Sequence, residues 1–476
     1  MKGLKLFSKW TGKIALFIAI LTAGIAALEF LLVPPLAGGM TTINYRDLMS
    51  QKQNVDIAFI GTSKIYRGID APTLSESLDK NVVGMGTAAQ IMTETYYFTN
   101  ELYKKNKPEM VFIDMSTVRL YREESNYINY IRNMKFNFDK FALAKEKYGK
   151  LKINSILGFL NYREQFFTGK ICENTRIKLS KGYRDFDIEY MDKMAHELSI
   201  VGGNSIYKGK GYWKSTSTMK DGNAGNLYFP DRYFSDGLFF NVGGIDIKQI
   251  YYLERTIKLC KDNGTRVILF NTVQPYAFAG SYVDQYDMYL DYVQLLVEKY
   301  GIEFYDFTML KKDKFERKDD LFFDWVHMNE VGAEKFEAVL ADFYNNVLNG
   351  NIDSDEYLYG SCTELVNDCR FIYSAKISYD AQEGLFQTAI ISGNLSEEVE
   401  YQYQYRIAEG EDFTTFRDWS TISTASSELI DESGRLTVRV NARRSGTDLE
   451  FEQYHTMPFR GPVSPNLDWI DELMEV

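Results

Sequence analysis

The segment Val55-Asp56-Ile57-Ala58-Phe59-Ile60, followed by Gly61-Thr62-Ser63, constrains this chain more than any other. The run is apolar apart from Asp56, too short for a helix and stopped by a glycine, so it reads as a buried strand of a parallel sheet. Ser63 then falls where strand gives way to helix, at the carboxyl edge where open α/β sheets bind ligands. The same residues would also serve if Thr62 and Ser63 did no more than cap that helix. Downstream the pattern predicts helix over 72–78, strand over 81–83, helix over 93–105 and strand over 108–113. After an interruption it resumes with helix over 245–263, in which Ile250, Leu253, Ile257 and Leu259 mark the apolar side. Strand over 266–270, helix over 288–300, strand over 302–307 and a closing helix over 330–348 follow. Strands and helices alternating in this way predict an α/β fold with a doubly wound parallel sheet.

Before the last helix comes Asp324-Trp325-Val326-His327-Met328-Asn329, with Gly332 after it. The chain has 3 histidines, His196, His327 and His455, so an imidazole base has few candidates. A serine hydroxyl is a poor nucleophile until a base takes its proton, and that base works best when a carboxylate orients it. Asp324 and His327, three residues apart at the entry to a helix, would supply both groups.

These blocks resemble those of the SGNH/GDSL hydrolases. Gly61-Thr62-Ser63 resembles their Gly-Asp-Ser opening, Val82-Val83-Gly84-Met85-Gly86-Thr87 their glycine block, and Asp324 to Asn329 their closing Asp-x-x-His. The resemblance covers roughly residues 56–348. It implies a three-layer, flavodoxin-like α/β domain with Ser63, His327 and Asp324 as catalytic residues. The backbone N–H groups of Ser63 and Gly86 would form the oxyanion hole. Two positions depart from the family: Thr62 stands in place of its usual Asp, and its Gly-x-Asn-Asp block has no match. Asp114-Met115-Ser116 occupies the expected place, and Asn271 is an alternative side-chain donor or a loop cap. One oxyanion donor lowers the barrier by about 3 kcal/mol.

The resemblance is closest to membrane-anchored surface members of Gram-positive bacteria, similar to proteins of polysaccharide O-acetylation and teichoic acid D-alanylation. It implies an acyl ester, with acetyl foremost, on a cell-envelope polysaccharide or teichoic-acid-like polymer, and a membrane-bound O-acyltransferase as partner. No Cys/His cluster has zinc spacing, so no metal is expected, and no cofactor. A non-catalytic surface protein that binds glycan or scaffolds an export complex is the alternative. A general lipase fits the polar, tyrosine-rich insertion less well, and no peptide-binding signature points to a protease.

Lys2, Lys5, Lys9 and Lys13 precede an apolar stretch from Ile14 to about Leu36, long enough to cross a bilayer. The lysines predict a cytoplasmic N-terminus and an exported remainder. Small residues such as Ala23, Gly24, Ala26 and Ala27 would also suit a cleaved signal, but the run exceeds a signal core. Glu29 within it either faces a partner helix or reaches the interface. A formal net charge of -12, with no basic run in the sequence, argues against nucleic-acid binding. The expected domains are a tail and anchor over 1–40, an SGNH-like domain over 41–350, an all-β sandwich over 351–460 and a tail over 461–476. Residues 41–54 read as a linker, and 116–241 as a cap insertion. In the cap, Tyr183, Tyr207, Tyr212, Trp213, Tyr228 and Tyr233 either stack on sugars or fill the insertion's own core. Strand alternation supports the sandwich in Val399, Tyr401, Tyr403 and Tyr405, in Leu436, Val438 and Val440, and in Leu449, Phe451 and Tyr454. Export permits a Cys362–Cys369 disulfide, whereas Cys260 reads as a buried thiol.

Overall fold

A computed structural model describes residues 2–116, 131, 133, 134, 138–150, 152–219, 247–324, 326–430, 432, 434–447 and 449–461. The first helix, Lys2–Leu32, ends two residues before Pro34-Pro35, which cannot continue it. Its stretch Trp10–Leu32, 23 residues, is long and apolar enough to cross a membrane. At 1.5 Å per residue it measures about 35 Å, against a hydrocarbon core of about 30 Å. Glu29 accepts a hydrogen bond from the Phe159 backbone N–H at 3.4 Å, and the Lys178 ammonium donates to the Val33 carbonyl at 2.5 Å. A cation on the last carbonyls of a helix is favourably placed.

Residues 41–54 are not the expected linker. Most of them form helix Met40–Ser50, with Thr41, Thr42, Ile43, Asn44, Tyr45, Asp47 and Leu48 buried. Its buried face is largely polar, which hides it from an apolar-periodicity test, and tertiary partners satisfy that face. Trp213 Nε1 donates to Asn44 Oδ1 at 2.8 Å, and the Tyr207 hydroxyl donates to Asp47. Burial lifts the Asp47 carboxyl above its ordinary range, against the opposing pull of the Tyr207 and Gln51 hydrogen bonds.

A five-stranded sheet runs in the order β2-β1-β3-β6-β7. Its strands are β1 Ile57–Gly61, β2 Val82–Gly86, β3 Met110–Asp114, β6 Arg266–Asn271 and β7 Glu303–Asp306. β1 pairs in parallel with β2, Ile57 opposite Val82, and with β3, Ile57 opposite Met110. Every residue of β1, β2 and β3 is buried, which explains their unbroken apolar runs. Phe59 and Phe112 stack on adjacent strands with centroids 4.3 Å apart.

The described part of the insertion is mainly helical, with helices Phe138–Tyr148, Lys170–Leu179 and Ile188–Glu197, and ends in the hairpin β4 Ser205–Gly209 and β5 Tyr212–Ser215. Tyr183, Tyr207, Tyr212 and Trp213 are buried at 7%, 2%, 2% and 0% exposure, so these four build a core rather than a sugar platform. Tyr228 and Tyr233 lie outside the described residues. Tyr183, Tyr207 and Trp213 share one apolar cluster with Leu36, Ile43 and Tyr66.

The described residues fall into two compact units. One holds them up to Leu269 except 216–219; the other holds 216–219 and those from Phe270 onward, with the boundary inside β6. Two antiparallel sheets lie in the second unit. One runs β11-β10-β13-β14 (Thr414–Ser420, Val399–Arg406, Gly434–Arg444, Gln453–Gly461) and the other β12-β9-β8 (Thr424–Ser426, Leu385–Ser392, Ile372–Asp380). Both contribute to one core, in which Tyr401, Tyr403 and Tyr405 of β10 meet Leu436, Val438 and Val440 of β13, and Ile377 and Phe386 of the other sheet. The β10 tyrosines therefore point inward, while Leu449 and Phe451 precede β14 instead of forming a strand.

All four cysteines are free. Cys362 and Cys369 bracket helix Cys362–Asp368, and seven residues of helical rise separate them by about 10 Å, too far for a disulfide. Cys260 is the expected buried thiol, and burial pushes its pKa up to about 12.

Candidate active site

β1 ends at Gly61, and Thr62 caps helix Ser63–Gly68 with its hydroxyl accepting from the Lys64 N–H at 3.3 Å. The two expected caps therefore have different roles: Thr62 makes the cap, and the half-buried Ser63 is the first helical residue. The turn is held by a side chain absent from the opening motif. Asp114, at the end of β3, accepts from the Thr62 N–H at 3.0 Å and from its hydroxyl at 2.6 Å. The same carboxylate accepts from the Ser116 N–H at 2.9 Å and hydroxyl at 2.8 Å. A Cβ on Gly61 would stand 2.2 Å from the Asp114 Cβ, so glycine is what lets this carboxylate reach the turn. Asp114 is thus an acceptor that positions the turn, not an oxyanion donor.

Gly86 ends β2 opposite Gly61. A Cβ there would lie 2.6 Å from the Thr62 carbonyl oxygen, so the Ser63 turn and β2 meet at backbone distance. The Gly86 carbonyl accepts from Asn44 Nδ2 at 3.0 Å, which ties helix Met40–Ser50 to this corner. Hairpin β4–β5 holds the helix carrying Ser63, through Arg67 Nη1 on the Trp213 carbonyl at 3.2 Å and Nη2 on Ser205 Oγ at 2.9 Å. Neither support has a signature in the motifs.

In the second unit, Asp324 and His327 lie together. His327 Nδ1 is 2.9 and 2.8 Å from the two Asp324 carboxylate oxygens, and Asp324 Oδ1 also accepts the N–H groups of Val326 and His327, each at 2.9 Å. Burial pushes the Asp324 carboxyl up, but the His327 ring and the two N–H donors outweigh it and hold it below the ordinary carboxylate value. The pair is partly accessible, with the His327 side chain 18% exposed. Asn329 caps the following helix, Glu330–Phe343, by accepting from the Gly332 N–H at 3.0 Å, and donates to the Asp320 carbonyl at 2.7 Å. Trp325 lies outside the described residues.

Asn271 does not serve as the expected donor. It is fully buried, and its amide donates to Asp306 Oδ2 at 2.6 Å and to the Tyr289 hydroxyl at 3.1 Å. Asp306 also accepts from the Tyr286 hydroxyl at 2.8 Å and the Thr308 N–H at 2.8 Å, so this cluster secures the ends of β6 and β7. Among the described residues no group of three His, Cys, Asp or Glu side chains could hold a metal ion.

No family model and no curated protein matches the chain. Solved structures similar to it include a GDSL-like lipase from Bacteroides thetaiotaomicron, at 10% identity over 64% of this chain and 99% of that one, TM-score 0.30. A lipase/acylhydrolase from Enterococcus faecalis matches at 10% identity over 62% and 96%, TM-score 0.24. A gut microbial diltiazem-metabolizing enzyme matches at 10% identity over 75% and 68%, TM-score 0.28. At this level the likeness assigns no residue of this chain a role.

Proposed function

We propose that the chain is a membrane-anchored serine esterase or O-acyltransferase of SGNH type. Its substrate would be an acyl ester, with acetyl as the proposed group, on a cell-envelope polysaccharide or teichoic-acid-like polymer. The observation that carries this reading is the Asp324–His327 pair. With Nδ1 held between the carboxylate oxygens, the imidazole is fixed in orientation and Nε2 is the nitrogen that exchanges protons. Ser63 Oγ attacks the ester carbonyl carbon while His327 Nε2 takes the hydroxyl proton. The tetrahedral intermediate collapses, the ester C–O bond breaks, and the same proton goes to the leaving alcohol. Water or a second sugar hydroxyl then releases the acyl group from Ser63. The oxyanion hole in this scheme is the pair of N–H groups of Ser63 and Gly86. Helix Lys2–Leu32 would anchor the protein with its N-terminus in the cytoplasm and the catalytic domain outside, beside a membrane-bound O-acyltransferase.

One observation favours the second reading, a glycan-binding or scaffolding protein with little turnover. Neither Asn271 nor Asp114 offers a side-chain oxyanion donor. The two readings separate on hydrolysis of p-nitrophenyl acetate and an O-acetylated glycan by the full chain in detergent. The hydrolase reading expects turnover that falls at least about 10³-fold in both Ser63→Ala and His327→Ala. Equal inertness of wild type and Ser63→Ala on both substrates would select the binding protein.

A further inference from the structure

A cavity of about 840 Å³ lies within the second unit, where residues 275–277 and 312–319 meet the strands β8 and β14. Ser63, Asp324 and His327 do not line it. Its volume falls in the range of small-molecule sites, about 300–1,000 Å³. Two of its buried lining side chains carry unmatched polar nitrogens. Arg317, 4% exposed, donates through Nη2 to the Leu310 carbonyl at 2.6 Å, whereas Nε and Nη1 have no hydrogen-bond partner among the described residues. No described carboxylate lies within 4.0 Å of the Arg317 guanidinium, which sits 4.5 Å above the Tyr276 ring. His455, 3% exposed, accepts the Ile377 N–H on Nδ1 at 3.1 Å, and its Nε2 has no hydrogen-bond partner among the described residues. Burial lowers the His455 pKa to about 4, so the ring is neutral and carries its proton on Nε2.

The cavity therefore presents N–H donors and a buried cation with no counter-charge, a costly arrangement unless an anion completes it. Of its four lining acids, Glu452 is engaged by Arg444 at 2.6 Å, Glu316 by Lys318 at 3.1 Å and Asp368 by the Tyr359 hydroxyl, and Asp319 forms no ion pair with Arg317. Exposed Lys312 and Arg370 stand at its rim. We propose that this cavity binds a sugar-sized ligand through a carboxylate or phosphate group, with Arg317 and His455 as its donors and Lys312 at its entrance. This site is independent of the acyl-transfer reading.

The test is calorimetric titration of the full chain in detergent at pH 7 with glucuronate, glycerol 3-phosphate and, as neutral control, glucose. One of the two anions should bind saturably at one site, which also decides between carboxylate and phosphate, and glucose should not. Arg317→Gln should weaken that binding at least 10-fold, and Lys312→Ala, an exposed substitution, by about 3-fold without changing the melting temperature. The proposal is overturned if neither anion binds the folded protein up to about 10 mM, if glucose binds as well, or if Lys312→Ala leaves the affinity unchanged. Wild-type affinity in a folded Arg317→Gln variant would overturn it as well.

Discussion

The Ser63 turn and the Asp324–His327 loop each depend on one carboxylate, but the carboxylates reach their targets differently. Asp324 works on its own loop, gathering the N–H groups of Val326 and His327 and the His327 ring within three residues. Asp114 works across 52 residues of sequence, from the end of β3 onto the Thr62 backbone and hydroxyl. The first orients the His327 ring, the proposed base, within its own loop. The second fixes the strand-to-helix corner that carries Ser63, the proposed nucleophile. Under the proposed mechanism, similar carboxylate chemistry would orient a base in one unit and hold a backbone corner in the other.

That contrast predicts different responses to removal of each carboxylate. Asp324→Asn should cost the most turnover, about 10³ to 10⁴-fold in kcat, because the amide stabilises neither the right tautomer nor the imidazolium. Its urea midpoint should stay close to wild type. Asp114→Ala should instead cost about 3 to 5 kcal/mol of stability, because two hydroxyls and two N–H groups of Thr62 and Ser116 lose their acceptor. Activity would fall only as far as the turn loosens. If Asp114→Ala left stability unchanged and abolished turnover, the division between the two carboxylates would be wrong.

Asn271 sharpens the comparison from a third position. Asn271→Ala should lower stability by about 1 to 3 kcal/mol, because Asp306 and Tyr289 lose a buried partner, while kcat changes less than about 3-fold in protein that remains folded. A larger kcat loss would return Asn271 to the oxyanion hole. The smallest effect concerns acid. The Asp324 carboxyl is held below its unfolded value, so its contribution to stability is fully present above about pH 4 and is lost as the pH falls through the lower folded value. Acid titration of unfolding should be slightly flatter in Asp324→Asn than in wild type.

The features legible in the chain were those whose cause is local. β1 announces itself by an apolar run and a glycine, Asp324 and His327 by their spacing, and the β10 and β13 strands by alternation that matches their burial. Features with long-range causes were not legible. Helix Met40–Ser50 buries Thr41, Thr42, Asn44 and Asp47, and its sequence gives no apolar stripe; partners in the hairpin near Trp213 stabilise it. Asp114 stands where the sequence offers no donor block, and its contacts are made with Thr62 at the turn after the neighbouring strand. The expected Cys362–Cys369 pairing rested on short sequence separation, and the intervening helix holds the two cysteines apart.

The most direct test of the central claim is covalent. The full chain, treated in detergent with a fluorophosphonate and digested for peptide mass spectrometry, should carry one phosphonyl adduct, on Ser63. Labelling should fall at least about 10²-fold in folded His327→Ala, because the hydroxyl loses its base. An unlabelled wild-type protein, an adduct on another serine, or undiminished labelling in His327→Ala would contradict the assignment of Ser63 and His327 as nucleophile and base.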